Sequence, residues 1–167
     1  MDEDISHQVS VEESRKSQSE MTTRGQDKLR RIRFSNLRPE LLDRSLGKDP
    51  AMYDLSEPCG PGEIDYFISH SWKDDAALKY AQLESLAKRF QEANGRECTF
   101  WFDKVCINQR DISEDLKCLP IFVMACDRLL ILYGSTYLTR LWCIWELYVF
   151  FATSVDSHRV QRSRSGL

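Results

Sequence analysis

Apolar residues crowd the middle of the chain and thin out toward both ends. Ile64-Asp-Tyr-Phe-Ile68 is a short apolar run of the length a buried strand needs. Ser71-Trp-Lys-Asp74 reads as a helix start, with Asp74 and Asp75 favourable in a first turn. Ala76, Tyr80, Leu83, Ala87 and Phe90 then repeat at helical spacing, and Asn94-Gly95 supplies a stop. Cys98-Thr-Phe-Trp-Phe102 is a second strand, rich in β-favouring aromatics. Ser113 caps a helix over Glu114 to Cys126, which Pro120 kinks or divides. Leu129-Leu-Ile-Leu-Tyr133 is a third strand, and a last helix runs from about Thr139 to Phe151. Apolar strands alternating with helices predict an α/β fold, a parallel sheet with helices on both faces.

The flanks read differently. Residues 1–62 are expected to be a largely disordered N-terminal region, since Met1 to Gln26 offers almost nothing to bury. Lys28 to Arg33 holds four basic residues in six, either a targeting or membrane-surface patch or a solvated linker or short helix face. Residues 63–151 form the folded unit. Residues 152–167 turn abruptly polar and basic and read as a disordered tail. On this reading the sheet is cut short after its third strand and helix, leaving an apolar edge.

Composition narrows the function. The chain has 167 residues and a net charge of −3, so it is one domain without the basic excess of a general nucleic-acid coat. No specific nucleic-acid partner is expected. The longest uncharged apolar stretch, Leu129 to Thr139, has 11 residues, against the ~20 of a membrane-spanning helix. With no leader-like apolar run at its start, the chain is expected to be cytoplasmic. Its six cysteines form no C-x-x-C and its three histidines are scattered, so no metal site is expected. No glycine-rich dinucleotide fingerprint or P-loop occurs.

In open parallel sheets, ligands bind beyond the carboxyl ends of the strands. Those ends are polar here: Ser69-His70-Ser71, Asp103-Lys104 and Gly134-Ser135-Thr136. Turns need such residues too, so position alone leaves both readings open. His70 and its neighbours do not form a Ser-His-Asp triad, because triad members converge from separate elements. The sharpest signal is Glu146, the only charge in Leu141-Trp-Cys-Ile-Trp-Glu146-Leu-Tyr-Val-Phe-Phe151. Its helical neighbours Trp142, Cys143, Val149 and Phe150 cannot neutralise it. A carboxylate in such a place is either paired with a distant cation or part of a working site.

Tyr66-Phe-Ile-Ser-His-Ser-Trp-Lys-Asp-Asp75, Phe100-Trp-Phe-Asp103, Leu130-Ile-Leu-Tyr-Gly-Ser-Thr-Tyr137 and Trp142-Cys-Ile-Trp-Glu-Leu147 together resemble the Toll/interleukin-1 receptor (TIR) homology domain of plant and microbial type. The likeness runs from Glu63 to Phe151, 89 of the 167 residues. Phe102-Asp-Lys-Val-Cys-Ile-Asn-Gln109 is also similar to the central motif of heterokaryon-incompatibility domains. The resemblance implies a flavodoxin-like fold and a role in signal transduction, innate immunity or cell death. It also implies cleavage of the N-glycosidic bond of NAD+, a substrate rather than a resident cofactor, and self-association with other TIR-like domains. It places the catalytic role on Glu146 and substrate contacts on Ser69, His70, Trp72, Asp103, Ser135 and Trp142. Two positions depart from the family pattern. Arg140 stands where a small residue is usual, and Lys104 to Lys117 lacks a glycine. An interaction module without chemistry, or an inactive remnant, therefore stands beside the enzyme.

Overall fold

The computed structural model describes residues 2–44, 50–108, 112–153 and 160–163. In chain order the elements are helix α1 (Asp2–Asp27), strands β1 (Arg30–Arg33), β2 (Glu57–Pro58) and β3 (Ile64–His70), and helix α2 (Ala76–Asn94). Strand β4 (Thr99–Trp101), helices α3 (Asp103–Cys106), α4 (Ile112–Lys117) and α5 (Leu119–Ala125), and strand β5 (Cys126–Leu132) follow. Helix α6 (Leu141–Thr153) and strand β6 (Val160–Ser163) complete the set. The strands lie in the order β2-β1-β4-β3-β5-β6. β4, β3, β5 and β6 are mutually parallel, whereas β1 is antiparallel to both β4 and β2. Counted along the parallel core, the order is 2-1-3-4, the flavodoxin-like arrangement. The α/β class and the largely parallel sheet are thus as expected.

Alternation along β3 explains why helices cover both faces. Successive side chains of a strand point to opposite sides. Tyr66 goes one way, stacking on Phe100 with centroids 5.9 Å apart and meeting Phe90 of α2 edge-on at 6.0 Å. Phe67 goes the other way and lies on Trp101 at 4.5 Å, nearly coplanar at 8°. Trp101 in turn stacks on Phe122 of α5 at 5.5 Å. Each face therefore carries its own aromatic cluster under its own helix, and every one of these rings except that of Phe90 is buried.

Local chemistry sets the ends of the elements. Asp75, not Ser71, caps α2, its Oδ1 accepting from the Leu78 backbone N–H at 2.8 Å. Gly95 ends that helix in the left-handed region, at φ 68°. Pro120 divides the predicted helix, sitting in the first turn of α5 where its missing N–H costs nothing. Asp65 enters the interior because Arg96 holds it bidentately, at 2.6 and 2.9 Å, and the Thr99 N–H and hydroxyl add two more bonds at 2.9 Å. Burial pushes the Asp65 carboxyl up, but these donors outweigh it and hold it below the usual carboxylate range.

Three expectations are corrected. Residues 1–62 are not largely disordered: α1, β1, β2 and three short 3-10 turns occupy much of that stretch. The basic segment is neither a free patch nor a linker. Ile32 of β1 is fully buried opposite Phe100. Arg30 lies over the Tyr53 ring at 4.0 Å, and Arg31 and Arg33 share Glu57 at 2.8 and 3.0 Å. The sheet also does not stop at its third parallel strand. Val160–Ser163 pairs with β5 from Leu129 to Leu132, in a segment expected to be tail. The remainder of that tail, residues 154–159 and 164–167, lies outside the described residues.

Candidate functional site

A cavity of about 560 Å³ opens at the carboxyl ends of the parallel strands. Each wall comes from a different strand end: His70 closing β3 with Trp72 just after it, Asp103 and Lys104 after β4, and Arg140, Trp142 and Cys143 after β5. Ile107, Ile112 and Leu116 add an apolar side, and Arg44 and Lys73 bring further positive charge to the rim. The surface is therefore aromatic and cationic with one carboxylate, Asp103. Such a lining suits a planar, anionic ligand.

Of the residues singled out in the sequence, His70, Trp72, Asp103 and Trp142 meet on this cavity. Ser69 and Glu146 are not part of its wall. Both are buried, at 0% and 2% exposure. Ser135 is exposed on the turn after β5 and does not join them.

Glu146 reaches inward from α6 toward the face of β3 that carries Ser69. The Ser69 hydroxyl donates to Glu146 Oε2 at 2.6 Å and lies 2.7 Å from the Tyr137 hydroxyl. With its one proton committed to Glu146, Ser69 is left to accept from Tyr137. Among the described residues no cation pairs with Glu146. Burial pushes its carboxyl well above the usual range. The hydrogen bond from Ser69 pulls the other way, the nearby charge of Asp103 adds to the rise, and a bond from Trp142 opposes it.

Cys143 also faces the cavity, but burial pushes its thiol up to about 12. Its Sγ donates to the His70 carbonyl at 3.2 Å, so it serves as a packed thiol and not a nucleophile.

On the other face of β3, Lys79 of α2 is buried at 3% exposure. Its ammonium donates to the carbonyls of Leu42 and Ser71, both at 3.1 Å, and approaches His70 Nδ1 at 3.4 Å. Burial draws its pKa below the ordinary lysine value, while Asp74, Asp103 and other carboxylates push back. The sequence offered no signal for Lys79, because a lysine within a helix reads as solvated. Lys104 stands over the Trp72 ring at 4.8 Å and donates to the Asp43 carbonyl at 2.8 Å.

Asp74 ties the β3 and β5 loops together. Its Oδ1 accepts from the Thr136 N–H at 3.0 Å and hydroxyl at 2.8 Å. The carboxyl passes so close to Gly134 that a Cβ there would lie 2.3 Å from Asp74 Cγ. Gly134→Ala must push Asp74 off Thr136 and is expected to cost about 1–3 kcal/mol. A urea denaturation midpoint equal to that of the unsubstituted chain would show that this contact yields freely.

No helix among the described residues is long and apolar enough to cross a membrane. Outward from the site, α6 carries an exposed apolar stripe of Leu141, Ile144, Tyr148 and Phe151, with Leu138 just before it. No protein-family model, no curated protein and no solved structure matches the chain.

Proposed function

We propose that the cavity binds NAD+ and that the chain cleaves its N-glycosidic bond to nicotinamide and ADP-ribose, as a TIR-like domain in a signalling or cell-death response. One observation carries the reading. The ends of three adjacent parallel strands converge on one aromatic, cationic cavity, and Glu146, on the same helix as Trp142 and Cys143, is buried with no cation paired to it among the described residues. Arg44, Lys73, Lys104 and Arg140 suit a pyrophosphate, and Trp72 and Trp142 suit flat rings.

Glu146 supplies the missing anion. As a neutral acid it is inert toward a developing cation. A ligand carrying positive charge at the nicotinamide-ribose bond favours its ionised form and draws its pKa down. The carboxylate then stabilises the oxocarbenium-like transition state. The C–N bond breaks with its electron pair leaving on nicotinamide. Water adds to the ribose carbon and releases a proton.

A second reading, an interaction module that assembles without chemistry, draws on the exposed stripe of α6 and on the place of Glu146 outside the cavity wall. Nicotinamide release from NAD+ by the purified chain at high concentration separates the two. The enzyme reading expects release that Trp72→Ala lowers about tenfold through KM and Glu146→Ala removes. Self-association without release by the unsubstituted chain would support the module instead.

A further inference from the structure

His70 Nε2 is a buried polar atom without a hydrogen-bond partner among the described residues. The side chain is 2% exposed, yet it forms part of the cavity wall. A buried donor left unpaired is destabilising, so its retention calls for a partner that arrives from outside. The opposite ring atom, Nδ1, faces Lys79 Nζ at 3.4 Å. Lysine carries three donors and no acceptor. Two of these go to the Leu42 and Ser71 carbonyls, and the third is aimed at Nδ1. An imidazole that accepts at Nδ1 keeps its proton on Nε2. Phe102 and Trp72 pack against the ring, with centroids 5.4 and 4.3 Å away.

The Nε2–H therefore has no partner within the fold, and Asp103, which lines the same cavity, stands beside it. Asp103 Oδ1 lies 3.9 Å from Nε2. That gap is too long for a direct hydrogen bond. It does fit one intervening oxygen at about 2.8 Å from each atom. The intervening group must accept from Nε2–H and donate to a carboxylate. An ionised phosphate oxygen cannot donate, and it is repelled by Asp103. A hydroxyl satisfies both.

We propose that Lys79 is a positioning residue that fixes the His70 tautomer. His70 Nε2–H and Asp103 then form a donor–acceptor pair that selects a sugar hydroxyl of the ligand. The proposal rests on reading the cavity as a ligand site, though not on the cleavage chemistry. It divides the cavity by chemistry: hydroxyl recognition at His70 and Asp103, anion recognition at Lys104, Arg140 and the rim.

Long-range ¹H–¹⁵N correlation spectra of the labelled chain near neutral pH report the tautomer directly. The expected spectrum shows His70 with a protonated Nε2 and an unprotonated Nδ1. Lys79→Met is expected to bring in the Nδ1–H form, and Lys79→Arg to restore the original one. A protonated Nδ1 or an averaged ring in the unsubstituted chain overturns the proposal, whether or not the Lys79 variants fold.

Ligand recognition is then read on the same signals with free ribose, ADP-ribose and inorganic pyrophosphate as probes. Ribose and ADP-ribose should move His70 Nε2–H, and Asp103→Asn should weaken the ribose effect about tenfold. Pyrophosphate should leave Nε2–H in place. A shift with pyrophosphate equal to that with ribose makes the pair an anion site and overturns the proposal. So does a His70 signal that neither sugar probe moves. Failure to release nicotinamide bears on the cleavage reading alone.

Discussion

Glu146→Gln should make the chain more stable at neutral pH while removing its activity. Burial raises the Glu146 pKa well above the ordinary value and no cation among the described residues offsets it, which favours the neutral acid in the folded state. The unfolded chain releases that proton above about pH 4.3. From there up to the raised folded value, the folded state binds more protons than the unfolded state. Stability falls as pH rises through that window. Glutamine fills the same volume, still accepts from Ser69, and has no proton to lose. We expect a gain of about 1 kcal/mol at pH 7, near 4 °C in Tm, with a flatter stability–pH curve. The same variant should slow nicotinamide release about 100-fold or more, because an amide cannot become the anion the transition state needs. Thermal melts across pH and a release assay on one preparation test both halves. An unchanged Tm and pH slope would mean that Glu146 is ionised in the folded chain. A stability gain with activity intact would leave the acid without a catalytic task.

The largest loss of stability is expected at Phe67. Its ring lies flat on Trp101, which carries the stack on to Phe122, so truncation empties the centre of one whole face. Phe67→Ala should cost about 3–5 kcal/mol, a large share of the 5–15 kcal/mol that a domain of this size holds. Phe67→Leu keeps most of the volume and should cost less than about 1.5 kcal/mol. Denaturant unfolding of the two variants gives both numbers. A loss below about 1 kcal/mol for the alanine variant would mean that the two-sided aromatic core is wrong.

The parallel core was legible because its strands are nearly continuous apolar runs that few other structures accommodate. Edge strands were not. Arg-Arg-Ile-Arg presents one apolar residue in four, and only its pairing with Thr99 and Phe100 makes Ile32 a core residue. Val160 to Ser163 is equally short, and ladder bonds to β5 decide its state rather than any period of its own. The same limit applied to the site. Glu146 stood out as a lone charge in an apolar helix, and His70, Trp72, Asp103 and Trp142 stood at strand ends or on the last helix. Lys79 was invisible, since its burial depends on a carbonyl at Leu42 in a turn that the sequence reads as unstructured. Ser135 shows the converse, a strand-end position that the turn carries away from the cavity.

The pairing of β1 with β4 sets an order on how the molecule can be assembled. Ile32 faces Phe100, and Ile64 faces Cys126, each across more than sixty residues of intervening chain. Contacts this distant close large loops before they return any energy, which slows folding. An emerging polypeptide has β1 and β2 available early, but Ile32 and Arg33 have no sheet partner until β4 follows. Over that interval Ile32 lacks its core partner, and the charges of Arg30, Arg31 and Arg33 beside it disfavour pairing of that edge with another chain.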